Sequence, residues 1–164
     1  MLRQEVLKIF EYDYWANKRL LDAARPISNG QFTATAAFPF GSVRGTLVHV
    51  FDAEQSWRML LQKGILSEDI PEARFATLGD LEAKWTDEER EMRSYLGGLQ
   101  DKDLLGLVRY TSSAGVPRER ILWHCLYHLV NHGTQHRAES AAILTSLGHS
   151  PGDLDFTVFL NESA

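Results

Sequence analysis

The sequence predicts an all-α protein built as a four-helix bundle. Three observations carry this. Four long segments repeat apolar residues at i, i+3 and i+4 spacing. Polar, Gly- or Pro-containing connectors separate them, with no internal repeat, low-complexity tract or interdomain linker. The last segment, Ile121 to Leu147, has no proline and only Gly133 as an internal break. Residues 1–164 are therefore expected to form a single domain.

The first helix is expected over Leu2 to Ala24. Val6, Ile9, Asp13, Ala16, Leu20 and Ala24 recur at helical spacing, and Pro26 ends the pattern. Asp13 stands on an otherwise apolar stripe, with Asn17 one turn on. It is a candidate to approach a metal or to hydrogen-bond a ligating imidazole; a water-facing rim position is the alternative. Ile27 to Gly41 reads as a connection with a short extended piece at Ala37 to Phe40.

Ser42 has the character of an N-cap and Gly64 that of a stop, bounding a second helix that ends near Lys63. Val43, Leu47, Val50, Phe51, Glu54, Trp57 and Leu61 form its stripe, with His49 beside it. Asp52, three residues on, is a candidate to orient the His49 imidazole; pairing with Arg44 or Arg58 is the alternative. After the loop Ile65 to Ala76, Thr77 and Asp80 spell a capping box. The third helix has Leu78, Leu81, Trp85, Met92, Tyr95, Leu96 and Leu99 inside and the charge run TDEEREMR in water. Asp101 to Glu119 contains two short strand candidates, DLLGLVRY and a stretch around Val116, forming a hairpin-like excursion over one end of the bundle. The apolar tail Leu154 to Leu160 is expected to dock on the chain itself or on a second subunit.

The last helix carries the chemistry. His124, His128, His132 and His136 follow at intervals of four. Each step turns a helix by ~400°, so the last three share an arc of ~80°. An i, i+4 pair can bind one metal ion. Three in a row cannot, because His128 and His136 stand ~12 Å apart along the axis. A third ligand must come from elsewhere. His149 lies past Gly148 at the helix end, whereas His49 lies inside the second helix and is the better candidate. A bundle builds metal sites from facing helices, so a divalent-metal site is expected between the second and fourth long helices. Spacing alone does not choose between His128/His132 and His132/His136.

Composition bounds the rest. Hydrophobic content is 44%, charged content 24% and net charge -5, which argues against a basic nucleic-acid footprint. No apolar run reaches membrane-spanning length and no secretory signal opens the chain. The single cysteine, Cys125, excludes an intrachain disulfide and suits the cytoplasm. It reads as a buried small hydrophobe rather than a nucleophile.

Asn131-His132-Gly133-Thr134-Gln135-His136-Arg137, preceded by Trp123-His124 and His128, resembles the last-helix signature of the DinB-like (DNA-damage-inducible) metalloprotein superfamily. The segment Gly45 to Glu54 with Trp57 resembles its second-helix motif, and Tyr14 to Leu20 its looser first-helix pattern. The resemblance implies a four-helix bundle holding a divalent metal, commonly zinc or nickel, on three histidines. Carried over by position, these are His49, His132 and His136, which leaves His128 a neighbour. It also implies a likeness to thiol-dependent S-transferases and isomerases that use bacillithiol or mycothiol, and a tendency to form homodimers.

Three neutral imidazoles leave the ion's charge intact and coordination positions open, a catalytic rather than structural pattern. The leading expectation is a metal-dependent transferase acting on a small thiol and a small electrophile. A non-enzymatic metal-binding stress-response module, closed by Asp13 or His128 as a fourth ligand, is the second. A hydrolase with Asp13 or Asp52 as base is the third. No H-E-x-x-H, paired E-x-x-H, P-loop or G-x-S-x-G motif occurs. Arg137 points ~100° away from its neighbouring ligand and is expected to fix the helix through a salt bridge.

Overall fold

The computed structural model describes residues 2–112 and 114–163. Four long helices make the body: α1 (Arg3–Ala24), α3 (Val43–Lys63), α4 (Leu78–Gly98) and α5 (Leu122–Ser146). Two short ones, α2 (Asn29–Thr33) and α6 (Phe156–Glu162), lie in the connection after α1 and at the C-terminal end. α1 and α3 each pack against both α4 and α5. α1 thus sits diagonally across from α3, and α4 from α5. None of the described helices is long and apolar enough to cross a membrane.

Local chemistry sets the helix ends. The Ser42 hydroxyl accepts from the Gly45 N–H at 2.8 Å, and Gly64 ends α3 at φ 68°. Thr77 and Asp80 exchange hydrogen bonds at the start of α4. Buried side chains gather in two clusters. One contains Phe10, Ala16, Met92, Leu126 and Leu129, and the other Leu20, Phe32, Leu47, Phe51, Trp85 and Leu144. Deep among them, Arg58 of α3 grips Glu88 of α4 through two hydrogen bonds of 2.5 and 2.7 Å. Both side chains are almost fully buried.

The connections differ from expectation in two places. Ser28 caps a helical turn with Gln31 returning the bond, so Ile27 to Gly41 contains α2. Ala37 to Phe40 is not extended: Ala36 N–H bonds to Gly41 O at 2.7 Å, which folds this piece into a tight loop. The hairpin before α5 forms, with β1 (Leu107–Thr111) antiparallel to β2 (Pro117–Ile121) and Leu107 opposite Ile121. Its predicted first residues instead make a single 3-10 turn over Asp103–Leu105.

The tail docks on the chain's own body. Phe159 is buried against Tyr12 and Trp15 of α1, and Glu162 accepts from the Trp15 indole and from Arg19.

Candidate metal centre

The centre begins with a close approach of backbone to helix. A Cβ on Gly45 would stand 2.0 Å from Phe40 O, so only glycine lets the tight loop lie on α3 here. The loop in turn lays the Phe40 ring flat on the His49 imidazole, with centroids 3.7 Å apart and planes at 16°. Phe40 also meets His136 edge-on at 5.2 Å. One wall of the centre is therefore a phenyl ring.

His49 from α3 and His132 and His136 from α5 converge. One ring nitrogen from each lies within 4.8 Å of the other two. The Nε2 atoms of His49 and His132 face each other at 3.0 Å. Bonds of ~2 Å at tetrahedral angles place ligand nitrogens ~3.3 Å apart, close to this separation. Two facing ring nitrogens need something between them, either a proton or a shared cation. Burial depresses the basicity of both rings. His132 is pushed down to about 4 by burial and then by the charges of His136, His49 and neighbours. His49 is lowered for the same first reason. Neutral imidazoles are the form that binds metal, so the donor set fits a divalent ion.

A residue that sequence reasoning missed completes the arrangement. The Glu139 carboxylate lies 2.8 Å from His136 Nδ1. Accepting that N–H fixes the tautomer and turns the Nε2 lone pair to the centre. The signal was present as His136 and Glu139 at i, i+3 on one helix face. Glu139→Gln is expected to weaken metal affinity ~10–100-fold with the fold intact. Titration against a competing chelator checks this, and an unchanged affinity would remove Glu139 from the site.

The other candidates are placed elsewhere. Asp13 neither approaches the centre nor faces water. It is 2% exposed and receives Arg137 NH1 at 2.5 Å. The expected salt bridge of Arg137 is thus formed, with Asp13. Arg137 also reaches Asn17 Oδ1 at 2.9 Å and Thr134 Oγ1 at 3.0 Å. Asn17 donates to Glu54 at 2.9 Å, and the Trp85 indole donates to the other Glu54 oxygen at 2.7 Å. This polar cluster ties α1, α3, α4 and α5 together. Gly133 makes room for it, because a Cβ there would meet Arg137 NH1 at 2.7 Å. Burial, then the charge of Asp13, pushes Glu54 well above the usual carboxylate range. Burial also raises Asp13, against the pull of Arg137.

Asp52 is half-buried and accepts from the Ser56 hydroxyl at 3.5 Å, and burial raises its carboxyl above the usual range. Arg44 and Arg58 pair instead with Glu72 and Glu88. Asp52 does border a cavity of about 390 Å³ with His49, Phe40, Asp69, Ile70 and Glu72. A larger cavity of about 590 Å³ lies between α1 and α4 and contains none of the histidines. His128 stays outside the triad. It is exposed, 5.8 Å from His132 between ring centroids, and packs edge-on against Trp57 at 5.4 Å. His124 is exposed beside Trp123, and His149 lies beyond Gly148. Cys125 is buried and its thiol is pushed up by burial, the opposite of an activated nucleophile.

The triad's sequence context matches known proteins over nearly the whole chain. The chain is 26% identical over 160 residues to Protein DinB of Bacillus subtilis (strain 168), covering 93% of this chain and 92% of that protein. The model of the DinB family matches residues 1–163, and the chain belongs to that family.

Proposed function

We propose that this protein is a metal-dependent S-transferase in which zinc or nickel, held by His49, His132 and His136, activates a low-molecular-weight thiol toward a small electrophile. The observation that carries the reading is the donor set. Three imidazoles converge, and no carboxylate or fourth histidine joins them among the described residues. A divalent ion bound there supplies Lewis acidity, which lowers the pKa of a thiol toward neutrality.

The chain's own residues do the rest. Neutral His49 and His132 leave the full charge of the ion available. Glu139 holds the His136 ring in its ligating tautomer. Phe40 screens one side from water. The cavity beside His49 gives room for a reactant. In the reaction the sulfur–carbon bond forms as the bond to the leaving group breaks, and the thiol proton passes to solvent.

The competing readings lose support from the same geometry. A hydrolase needs a positioned base, yet Asp13 is held by Arg137, and Asp52 borders the cavity beside His49 without joining the triad. A closed, non-catalytic site needs a fourth ligand, and neither Asp13 nor His128 joins the triad.

The test is thiol consumption with bacillithiol and simpler thiols against an alkylating bimane, with and without added zinc or nickel. A metal-dependent rate that chelation and His132→Ala both remove is the expected result. Equal rates with metal, without metal and in the variant would overturn the proposal.

A further inference from the structure

Of the neighbouring long helices in the bundle, α1 and α4 meet least. The α4 side chains on this seam include Ala83 and Thr86, which are too short to close it. The opening they leave is the cavity of about 590 Å³ that lies away from the histidines. Its size is in the range of small-molecule pockets, ~300–1,000 Å³. Trp15 and Leu21 of α1, Trp85 of α4 and Phe159 of α6 give it apolar and mostly aromatic walls.

The polar groups of the lining decide what it can hold. Glu11, Glu82 and Glu89 balance Lys18, Arg25 and Arg93, so the cavity has no net charge. These groups are already matched. Arg93 pairs with Glu11 and Glu89, Arg25 with Glu82, and Lys18 with Asp22. A charged ligand would have to break a pair to be held, and an uncharged one would not. Tyr14 is the exception among the polar groups. It lines the cavity and is only 7% exposed. The Arg93 guanidinium covers its ring at 4.1 Å from the centroid. Its hydroxyl is shut from water and has no hydrogen-bond partner among the described residues. Burial raises its pKa, so the group stays a neutral phenol able to donate. A buried donor left without an acceptor costs stability. Ligand pockets set a small number of such groups among apolar walls.

We propose that the cavity between α1 and α4 is a second binding site, separate from the histidine triad, for an uncharged planar aromatic molecule whose hydroxyl or carbonyl oxygen partners the Tyr14 hydroxyl. The aromatic walls take the ring system, the matched ion pairs stay intact around it, and the ligand oxygen supplies the missing partner. The site uses neither metal nor thiol, so the inference goes beyond the S-transfer reading and does not rest on it.

The probe is β-naphthol, added to the full chain and followed by NMR chemical shifts. A dissociation constant on the order of 0.1 mM is expected for a ligand of this size. Naphthalene lacks the oxygen and β-naphthoate carries a charge, and each is expected to bind at least ~5-fold more weakly. Ala83→Trp changes an exposed position and fills the cavity. It is expected to abolish binding with an unchanged circular dichroism spectrum. Tyr14→Phe removes a single oxygen. It is expected to erase the preference for β-naphthol over naphthalene, while the melting temperature of the free protein stays equal or rises, because the hydroxyl had no partner to lose. A merely structural tyrosine would give the opposite pair of results. No binding of β-naphthol, binding that survives Ala83→Trp, an unaltered preference in Tyr14→Phe, or a lower melting temperature of that variant would overturn the proposal. His132→Ala is expected to bind β-naphthol as the wild type does, which keeps this test apart from that of S-transfer.

Discussion

The His132→Ala variant is expected to lose its divalent ion and keep its fold. His132 is central to the triad: it faces His49 Nε2 at 3.0 Å, and its ring lies 4.5 Å from that of His136. Removing it leaves one ligand on each of two helices, and two imidazoles bind far more weakly than three. An affinity loss of at least ~10³-fold is expected, beyond the ~10–100-fold typical of an outer partner. The fold persists because α3 and α5 share two apolar clusters, one containing Trp57 and Leu126 and the other Leu47 and Leu144. Metal analysis after purification without added metal is the measurement. About one ion per chain in the wild type, absent in His132→Ala, His49→Ala and His136→Ala, is the expected pattern. Wild-type protein that takes up neither zinc nor nickel would remove the metal centre altogether.

Arg137→Met is expected to give a large loss of stability. Arg137 is 1% exposed and lies between Asp13 and Asn17. Methionine fills much of the space but leaves two carboxyl groups, Asp13 and Glu54, without a cation. Stripping one partner from a buried pair costs ~3–5 kcal/mol, which for a chain of this size lowers the melting temperature by ~6–20 °C. The loss has a pH dependence of known sign. Glu54 already titrates well above its ordinary value of 4.5 because burial and Asp13 oppose its charge. Between that ordinary value and the raised one, the folded chain holds a proton that the unfolded chain has released, so stability falls as pH rises through the window. Without Arg137 both carboxyls resist ionisation further, and the deficit of Arg137→Met grows from about pH 5 to about pH 8. Thermal melts at the two pH values decide it. A deficit that shrinks with rising pH would show that Asp13 and Glu54 are not the groups left uncompensated.

Much of this was legible in the residues. The four long helices follow from apolar periodicity, and their ends from Ser42, Gly64, Thr77 and Asp80, because caps are local chemistry. The histidine set needed more than spacing. Periodicity placed His128, His132 and His136 on one arc, and only the likeness of Asn131 to Arg137 to a family signature selected the latter two with His49. The structure brings those three together. Asp13 was misjudged because periodicity reports which face a residue occupies and not what lies opposite. Its partner Arg137 is more than a hundred residues away. Glu139 was not legible because its role depends on which histidines converge: with His136 in the triad, the useful carboxylate lies one turn beyond it. The short helix α2 escaped because five residues do not show a period, although Ser28 and Gln31 spell its cap.

The Trp57 ring, half-buried between Tyr110 of the hairpin and His128 of α5, makes the protein its own optical probe. It lies one aromatic contact from the imidazole row that ends at the centre. An open-shell ion such as nickel quenches nearby indole emission, whereas closed-shell zinc does not. Nickel arrival and its displacement by a chelator or by zinc can therefore be followed by fluorescence in unlabelled protein. The Trp57→Phe variant separates this signal from the emission of Trp15, Trp85 and Trp123.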